Sequence, residues 1–335
     1  VPPSGDPARR PRRLGLILPF VALALGIALW SAYWVFASHK LSQKMDETAR
    51  RLAAKDIAIS WQQRRLYGYP FRFEMDLVGV KLSEPSGWAL HLPALKAKAA
   101  AYSPQRWVFL APDGATLNRP RGGAVSLSSP LLRASLSVMP HKLPHLIIEG
   151  RDMTLSTPPG TRPFWLKSVQ RLDFALQPGP DDQEALLLRI DNGKASLGGI
   201  VARIVEDQAL DLDWQSSISH ASSLTGRSWP EAVQAWTAAG GQISLRQSQL
   251  SFSKARLTLS GGPLTVAADG HLEGDLAADL GEIVSAVARA GTGASIPGSS
   301  VSPDAPPKAL NASLSLKDGK IHLGPLPIAA SPRIF

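Results

Sequence analysis

Cysteine is absent from this 335-residue chain, which excludes disulfides and thiolate chemistry. Many proteins of oxidising compartments carry no cysteine, so the absence permits export without demanding it. Long blocks of one charge are scarce as well. Arg9, Arg10, Arg12 and Arg13 form one short basic run, and the rest of the net charge of +9 is spread thinly, with no Lys/Arg block longer than two. Nucleic-acid binders gather their charge on one face or tail, so no nucleic-acid partner is expected. The Gly-rich phosphate loop, the dinucleotide fingerprint and Gly-x-Ser-x-Gly are all missing, and Gly291-Thr292-Gly293 opens no helix or strand unit. Charged residues are 19% and hydrophobic residues 44%, ordinary values that exclude global disorder.

Histidine gives little more. Of His39, His91, His141, His145, His220, His271 and His322, only His141 and His145 lie close together. Two imidazoles four residues apart share a helix face and can hold a metal, but Pro140 and Pro144 interrupt any helix here, and Glu149 is the nearest acid. A polar loop explains the pair, and neither metal nor cofactor is expected. Asp181-Asp182 follows Pro178-Gly179-Pro180 and reads as a solvated turn, while Asp211 and Asp213 alternate on the wet face of a strand. General acid–base work needs carboxylates in unlike environments, and neither pair signals that. Ser251-Phe252-Ser253-Lys254 matches Ser-x-x-Lys in strand-like surroundings without the partner motifs that activate such a serine. Asn311-Ala312-Ser313 matches a glycosylation sequon of little weight here. The chain is therefore read as non-enzymatic.

What the chain does have is one long apolar run. Leu14–Phe36 carries no charged side chain. As a helix it covers about 34 Å, enough for a hydrocarbon core of about 30 Å with some tilt. Trp30, Tyr33 and Trp34 cluster at its C-terminal end, where amphipathic rings favour the headgroup region. Pro19 sits one turn in, where a kink is tolerable. The arginines before it place residues 1–13 in the cytoplasm and send the remainder across. A cleaved signal peptide is the competing reading, with Val35-Phe36-Ala37 before Ser38 as its processing site. The run is longer than a signal peptide's apolar region and two Trp crowd that site, so a retained anchor over 14–36 is preferred.

Residues 37–56 form a juxtamembrane helix, with Leu41, Met45, Ala49, Leu52 and Ala53 on one face. From Ile57 the period changes to two, and 57–335 reads as a β-rich domain. Phe71–Leu77, Leu132–Val138 and Leu210–Trp214 alternate cleanly, and so do Ile243–Leu250, Ala255–Leu259, Leu264–Ala268 and Leu272–Leu280, divided at Gly261-Gly262, Asp269-Gly270 and Gly274. Strict alternation means one face buried and one wet, the mark of antiparallel sheet. Roughly fifteen strands are expected in one long curved antiparallel sheet. Helices interrupt at Trp229–Trp236, capped by Ser228 and stopped at Gly240-Gly241, and at Leu280–Arg289. The Gly/Ser/Pro-rich 290–307 reads as a flexible loop. Asp318-Gly319 joins a final strand pair.

With these motifs in place, the chain resembles the domain of unknown function 2125, a family of alphaproteobacterial proteins. The resemblance rests on the anchor with its helix, on Leu66-Tyr67-Gly68-Tyr69-Pro70-Phe71-Arg72-Phe73, and on Leu316–Pro327 with its Asp318, Gly319, Gly324, Pro325 and Pro327. These motifs look structural: a turn feeding a strand, and prolines closing a sheet edge where no donor is needed. A weaker likeness runs to the AsmA-like proteins, which imply an N-terminal anchor and a long periplasmic sheet. The expectation from both is a single-pass protein of the bacterial inner membrane, its C-terminal domain in the periplasm. Its sheet binds lipid or supports envelope lipid transport; the alternative is a structural or scaffolding protein acting on another envelope protein.

Overall fold

The computed structural model describes residues 14–138, 143–196, 209–252, 255–279, 311–324 and 326–335. The basic run Arg9–Arg13, His141, the helix expected at Leu280–Arg289, the 290–307 segment and Pro325 lie outside these residues.

Helix α1 spans Leu14–Ala53 without interruption. The expected anchor and juxtamembrane helix are thus one element, because nothing from Ser38 to Ala53 breaks a helix. Leu41, Met45, Ala49 and Leu52 are half-buried as their spacing implies, whereas Ala53 is exposed. Arg50 and Arg51 in the last turn complement the helix dipole.

Among the described residues, eighteen strands form one antiparallel sheet. Strands β1 (Ala58–Ser60) and β2 (Gln63–Tyr67) lie end to end along β3 (Arg72–Ser83), which pairs with β4 (Ala89–Ala100). On the other side of β4, β5 (Ser103–Leu110) and β6 (Ala115–Arg119) also run end to end, and β7 (Gly123–Ser128) with β8 (Leu131–Ser137) does the same along β9 (His145–Ser156). Then β10 (Leu166–Pro178), β11 (Glu184–Ala195), β12 (Leu210–Ile218), β13 (Ile243–Phe252) and β14 (Ala255–Val266) follow. The sheet ends with β15 (Leu272–Asp279), β16 (Asn311–Lys317), β17 (Lys320–Leu323) and β18 (Leu326–Ala330). Each strand from β9 onward pairs with the next along the chain. Where two short strands share a lane, a kink rather than a hairpin separates them, so the eighteen segments fill about the fifteen lanes that alternation implies.

One expectation fails in detail. Gly261-Gly262 does not divide two strands; β14 runs through it, and its register against β15 shifts between Gly261 and Thr265. Two glycines in a period-two run mark a bulge here, not a turn. Gly274 likewise lies inside β15.

The pairings align one row of residues across twelve strands. Met75, Ala97, Phe109, Ala134, Ile148, Phe174, Leu188, Trp214, Ser248, Leu259, Ala278 and Ala312 stand opposite one another in turn, apolar except for Ser248. One residue away, on the other face, run Asp76, Lys96, Leu110, Arg133, Glu149, Asp173, Arg189, Asp213, Gln249, Thr258 and Asp279, all polar except Leu110.

The second helix, α2 (Trp229–Ala238), starts after Ser228, whose hydroxyl accepts from the Glu231 N–H, and carries Pro at its start. Its Val233 and Trp236 pack on Leu245, Leu264, Val266, Leu276 and Leu314, while the Trp236 indole donates to the Ser219 carbonyl at 2.6 Å. Just before and within it, Arg227 lies 3.8 Å from Asp56, the Trp229 N–H donates to Glu84 Oε2 at 3.3 Å, and the Trp229 indole donates to the Ile334 carbonyl at 2.8 Å. Laid flat, the sheet would separate Glu84, just past β3, from Ile334, which donates its N–H to Gly270 just before β15, by about 50 Å. One residue reaches both, Glu84 through its backbone N–H and Ile334 through its indole, so the sheet is curled, its apolar face inward.

Trp236→Ala should cost about 3–5 kcal/mol, the price of an emptied core site, and Ser228→Ala about 1 kcal/mol for the lost cap, both read as thermal unfolding of the detergent-solubilised chain.

Candidate functional site: the apolar inner face

The inner face is covered unevenly. At its start, Met45 of α1 packs with Met75, Leu77, Val80 and Ala97. At its end α2 seals the strands from β13 onward. At one end of β9–β11, Phe164 joins Met153, Leu166, Val169 and Ile190 in a third cluster. Among the described residues, what remains is a wall on β8–β11 formed by Ala134, Leu136, Leu146, Ile148, Phe174, Leu176 and Leu186. All are half-buried, and none belongs to a core cluster.

A carboxyl stands at the end of this wall. Glu184 continues the inward series of Leu186, Leu188 and Ile190, is 8% exposed, and has no hydrogen bond or ion pair among the described residues. Burial alone pushes its pKa above the ordinary glutamate value. Opposite Leu186 on β12, Ser216 accepts the indole N–H of Trp214 at 3.0 Å. Ser248, 2% exposed, has a hydroxyl with no partner.

The outer face is built the opposite way. Arg133 pairs with Glu149, and Arg189 with Asp213 at 2.6 Å. Arg189, Asp191, Asp211, Leu212, Asp213, Gln249 and Ser251 line a shallow cleft of about 310 Å³. Burial raises the Asp213 carboxyl, but hydrogen bonds from Arg189 and Gln215 outweigh it and hold its pKa below the usual range. Asp211 accepts the Asn192 N–H at 2.7 Å. These carboxylates are structural partners of their neighbours. Among the described residues, no three His, Asp or Glu side chains converge on a point that could hold a metal.

The sequence motifs fall in three places. Gly68–Arg72 is the turn between β2 and β3, and α1 docks on it. The Trp30 indole donates to the Pro70 carbonyl at 2.9 Å, Ser31 and Tyr69 share a hydrogen bond at 2.8 Å, and the Trp34 indole donates to the Arg72 carbonyl at 3.0 Å. Tyr33 donates to the Ala101 carbonyl at 3.1 Å on the neighbouring turn, and Trp34 stacks on Phe73 with centroids 5.8 Å apart. Gly68 is required: its φ is +105°, and a Cβ there would meet the Arg72 carbonyl oxygen at 2.8 Å, the atom Trp34 uses. Further along α1, Asp46 takes both amino groups of Arg64, at 2.8 and 3.1 Å, and that hydrogen bond lowers the Asp46 pKa.

The second motif, Asp318-Gly319, is the tight turn between β16 and β17, both residues left-handed. Gly324 precedes β18, and Pro327 stands in β18 opposite His322, on a strand with one neighbour. The third place is the polar face and its turns. Asp181 and Asp182 are left-handed turn residues, but Asp182 is more than solvated: it accepts from the N–H and hydroxyl of Ser222. His145 opens β9 beside Gln177, while Ser253 and Lys254 lie outside the described residues.

Sequence reasoning missed the wall, Glu184 and the docking of α1. Alternation was visible for each strand, but which apolar residues lie uncovered depends on where two distant helices land. Glu184 had one signal, a charged residue in the apolar phase of Leu186–Ile190.

A family model described as "Uncharacterized protein conserved in bacteria (DUF2125)" matches residues 34–332. No curated protein and no solved structure matches the chain.

The two carboxyls shift in opposite directions, and stability should follow. Glu184, raised, favours the fold when protonated; that contribution is full below about 4.5 and lost as pH rises through its folded value. Glu184→Gln should therefore melt above the parent at pH 7, the two converging in acid. Asp213, lowered, contributes above about 3.8 and loses that contribution as pH falls through its folded value. Asp213→Asn should melt below the parent at pH 7 and converge only at the acid end. Melting curves from pH 3 to pH 8 check both.

Proposed function

We propose that this chain, which belongs to the DUF2125 family, is a membrane-anchored lipid-binding protein whose curled sheet receives acyl chains on its inner face. One helix, Leu18–Ala53 in its described side chains, is long and apolar enough to cross a membrane, and none of its apolar window is buried in the protein. On this reading α1 holds the protein in the bacterial inner membrane and the sheet lies in the periplasm, which is where the arginine run directs it.

The observation that carries the reading is the uncovered stretch of a continuous apolar row. Leu136, Leu146, Leu176 and Leu186 follow in register across four strands, beside Ala134, Ile148 and Phe174, a track about 14 Å wide along which part of an extended acyl chain can lie. Each methylene removed from water there is worth about 0.8 kcal/mol, so a partly covered chain is held without any charged contact. The role is binding, not catalysis: the face offers surface and one carboxyl.

The test uses the full chain, extracted in mild detergent from bacterial membranes and weighed by native mass spectrometry. The parent should carry phospholipid. Ile148→Asp combined with Leu186→Asp should reduce the bound fraction at least about tenfold, since each places a charge on the apolar wall. Val108→Asp, on the outer face, should leave it unchanged and so corrects for lipid around α1. A parent free of lipid, or equal loss in all variants, rejects the reading and turns attention to the scaffolding alternative, for which crosslinking should recover one envelope partner.

A further inference from the structure

The hydrogen bonds between α1 and the first turns of the sheet change what the aromatic cluster at the end of the apolar run does. Trp30 and Trp34 are half-buried, with both indole N–H groups donating to the Pro70 and Arg72 carbonyls. An interfacial tryptophan usually offers that N–H to headgroups and water. Here it is used to hold the sheet.

Beside the exposed Leu29, Tyr33, Val35 and Phe36 of α1, the sheet also leaves large apolar side chains outward at this level. Tyr102 is 78% exposed, Phe71 66% and Tyr69 52%, the three most exposed large apolar side chains among the described residues after Ala53. All three sit on two adjoining turns, Gly68–Arg72 and Ala101–Tyr102, joined by the Ala101 N–H donating to the Phe71 carbonyl at 2.9 Å. Both turns are bonded to the same stretch of α1, Trp30–Trp34. From Leu14, the helix rises about 24 Å to Trp30 and about 30 Å to Trp34, the thickness of a bilayer's hydrocarbon core. Bound at that height, and with α1 clamped again at Asp46–Arg64, the turns cannot stand off from the plane where the helix leaves the bilayer.

We infer that the turns carrying Tyr69, Phe71 and Tyr102 insert into the interfacial layer of the membrane that α1 crosses, forming a second, sheet-borne contact with lipid. The inference rests on the anchoring proposed above and is independent of the apolar wall. The occupant is the bilayer because these aromatics are continuous with the lipid-facing helix and share its height; a second copy of the chain is the rival.

The absence of cysteine makes the test direct. Single Phe71→Cys and Tyr102→Cys variants of the full chain are spin-labelled and reconstituted in vesicles of phosphatidylethanolamine and phosphatidylglycerol. Leu25→Cys serves as the bilayer reference and Lys194→Cys as the water reference. Both replaced side chains are mostly exposed, so folding is little affected, and agreement of two positions guards against one failing. The ratio of oxygen to nickel-chelate collisions at 71 and 102 should lie between the references and at least roughly threefold above that at 194. A ratio at both positions equal to that at 194 overturns the inference. Spin–spin broadening with low access to both reagents overturns it in favour of a second copy. A water-like reading at 25 overturns the anchoring itself, and is distinguishable because that label reports on α1 alone.

Discussion

Everything in this fold depends on a single shared register. Each lane of the sheet pairs with its chain neighbours, and across twelve strands the apolar row from Met75 to Ala312 stays one residue out of step with the polar row from Asp76 to Asp279. A slip of one residue anywhere would exchange the two rows from that strand onward. The ion pairs of the outer row do not hold the sheet together, since their side chains are partly solvated and such pairs are worth about 0–1 kcal/mol. What they do is penalise the wrong phase: Arg133 opposite Glu149 and Arg189 opposite Asp213 meet only in the observed register. Burial supplies the energy and the charges select the alignment.

A sheet so wide with one apolar face must cover that face or curl. This chain does both, unequally. α1 covers the first strands, α2 the last, and Trp229 bridges Glu84 just past β3 to Ile334 in the tail beside β15. Among the described residues neither helix reaches the middle, where Leu146, Ile148, Phe174 and Leu176 stay half-buried. Glu184 fits that setting. A carboxyl without a partner is disfavoured in a sealed core, and it persists on a face that is shielded without being closed.

How much of this was legible beforehand differs from residue to residue. The alternation of Phe71–Leu77 or Leu132–Val138 exposes its phase directly, because a strand's side chains repeat every two residues whatever lies next to it. Local signals of this kind, including Asp318-Gly319 and the cap at Ser228, translate into structure without change. Gly261-Gly262 misled because a glycine pair serves equally in a turn and in a bulge, and only the partner strand decides. Trp30 and Trp34 showed only part of their role: an indole at the end of an apolar run suits lipid headgroups and backbone carbonyls alike, and its acceptors, Pro70 and Arg72, lie about forty residues away. The wall was illegible in principle, since exposure on a sheet is set by elements remote in sequence.

Those same indoles make α1 more than a tether. Clamped at Trp30–Trp34 and again at Asp46–Arg64, about 18–24 Å apart along the helix, α1 cannot swivel against β2 and β3. The sheet therefore inherits the helix's orientation. Its apolar face begins at Phe73 and Met75, immediately beyond the turn that α1 grips, at the height where the apolar run ends. A hinge at this junction would have left the inner face free to point anywhere. On the proposed reading a rigid junction starts it beside the membrane, so an acyl chain leaving the bilayer meets apolar surface of the protein without first crossing open water.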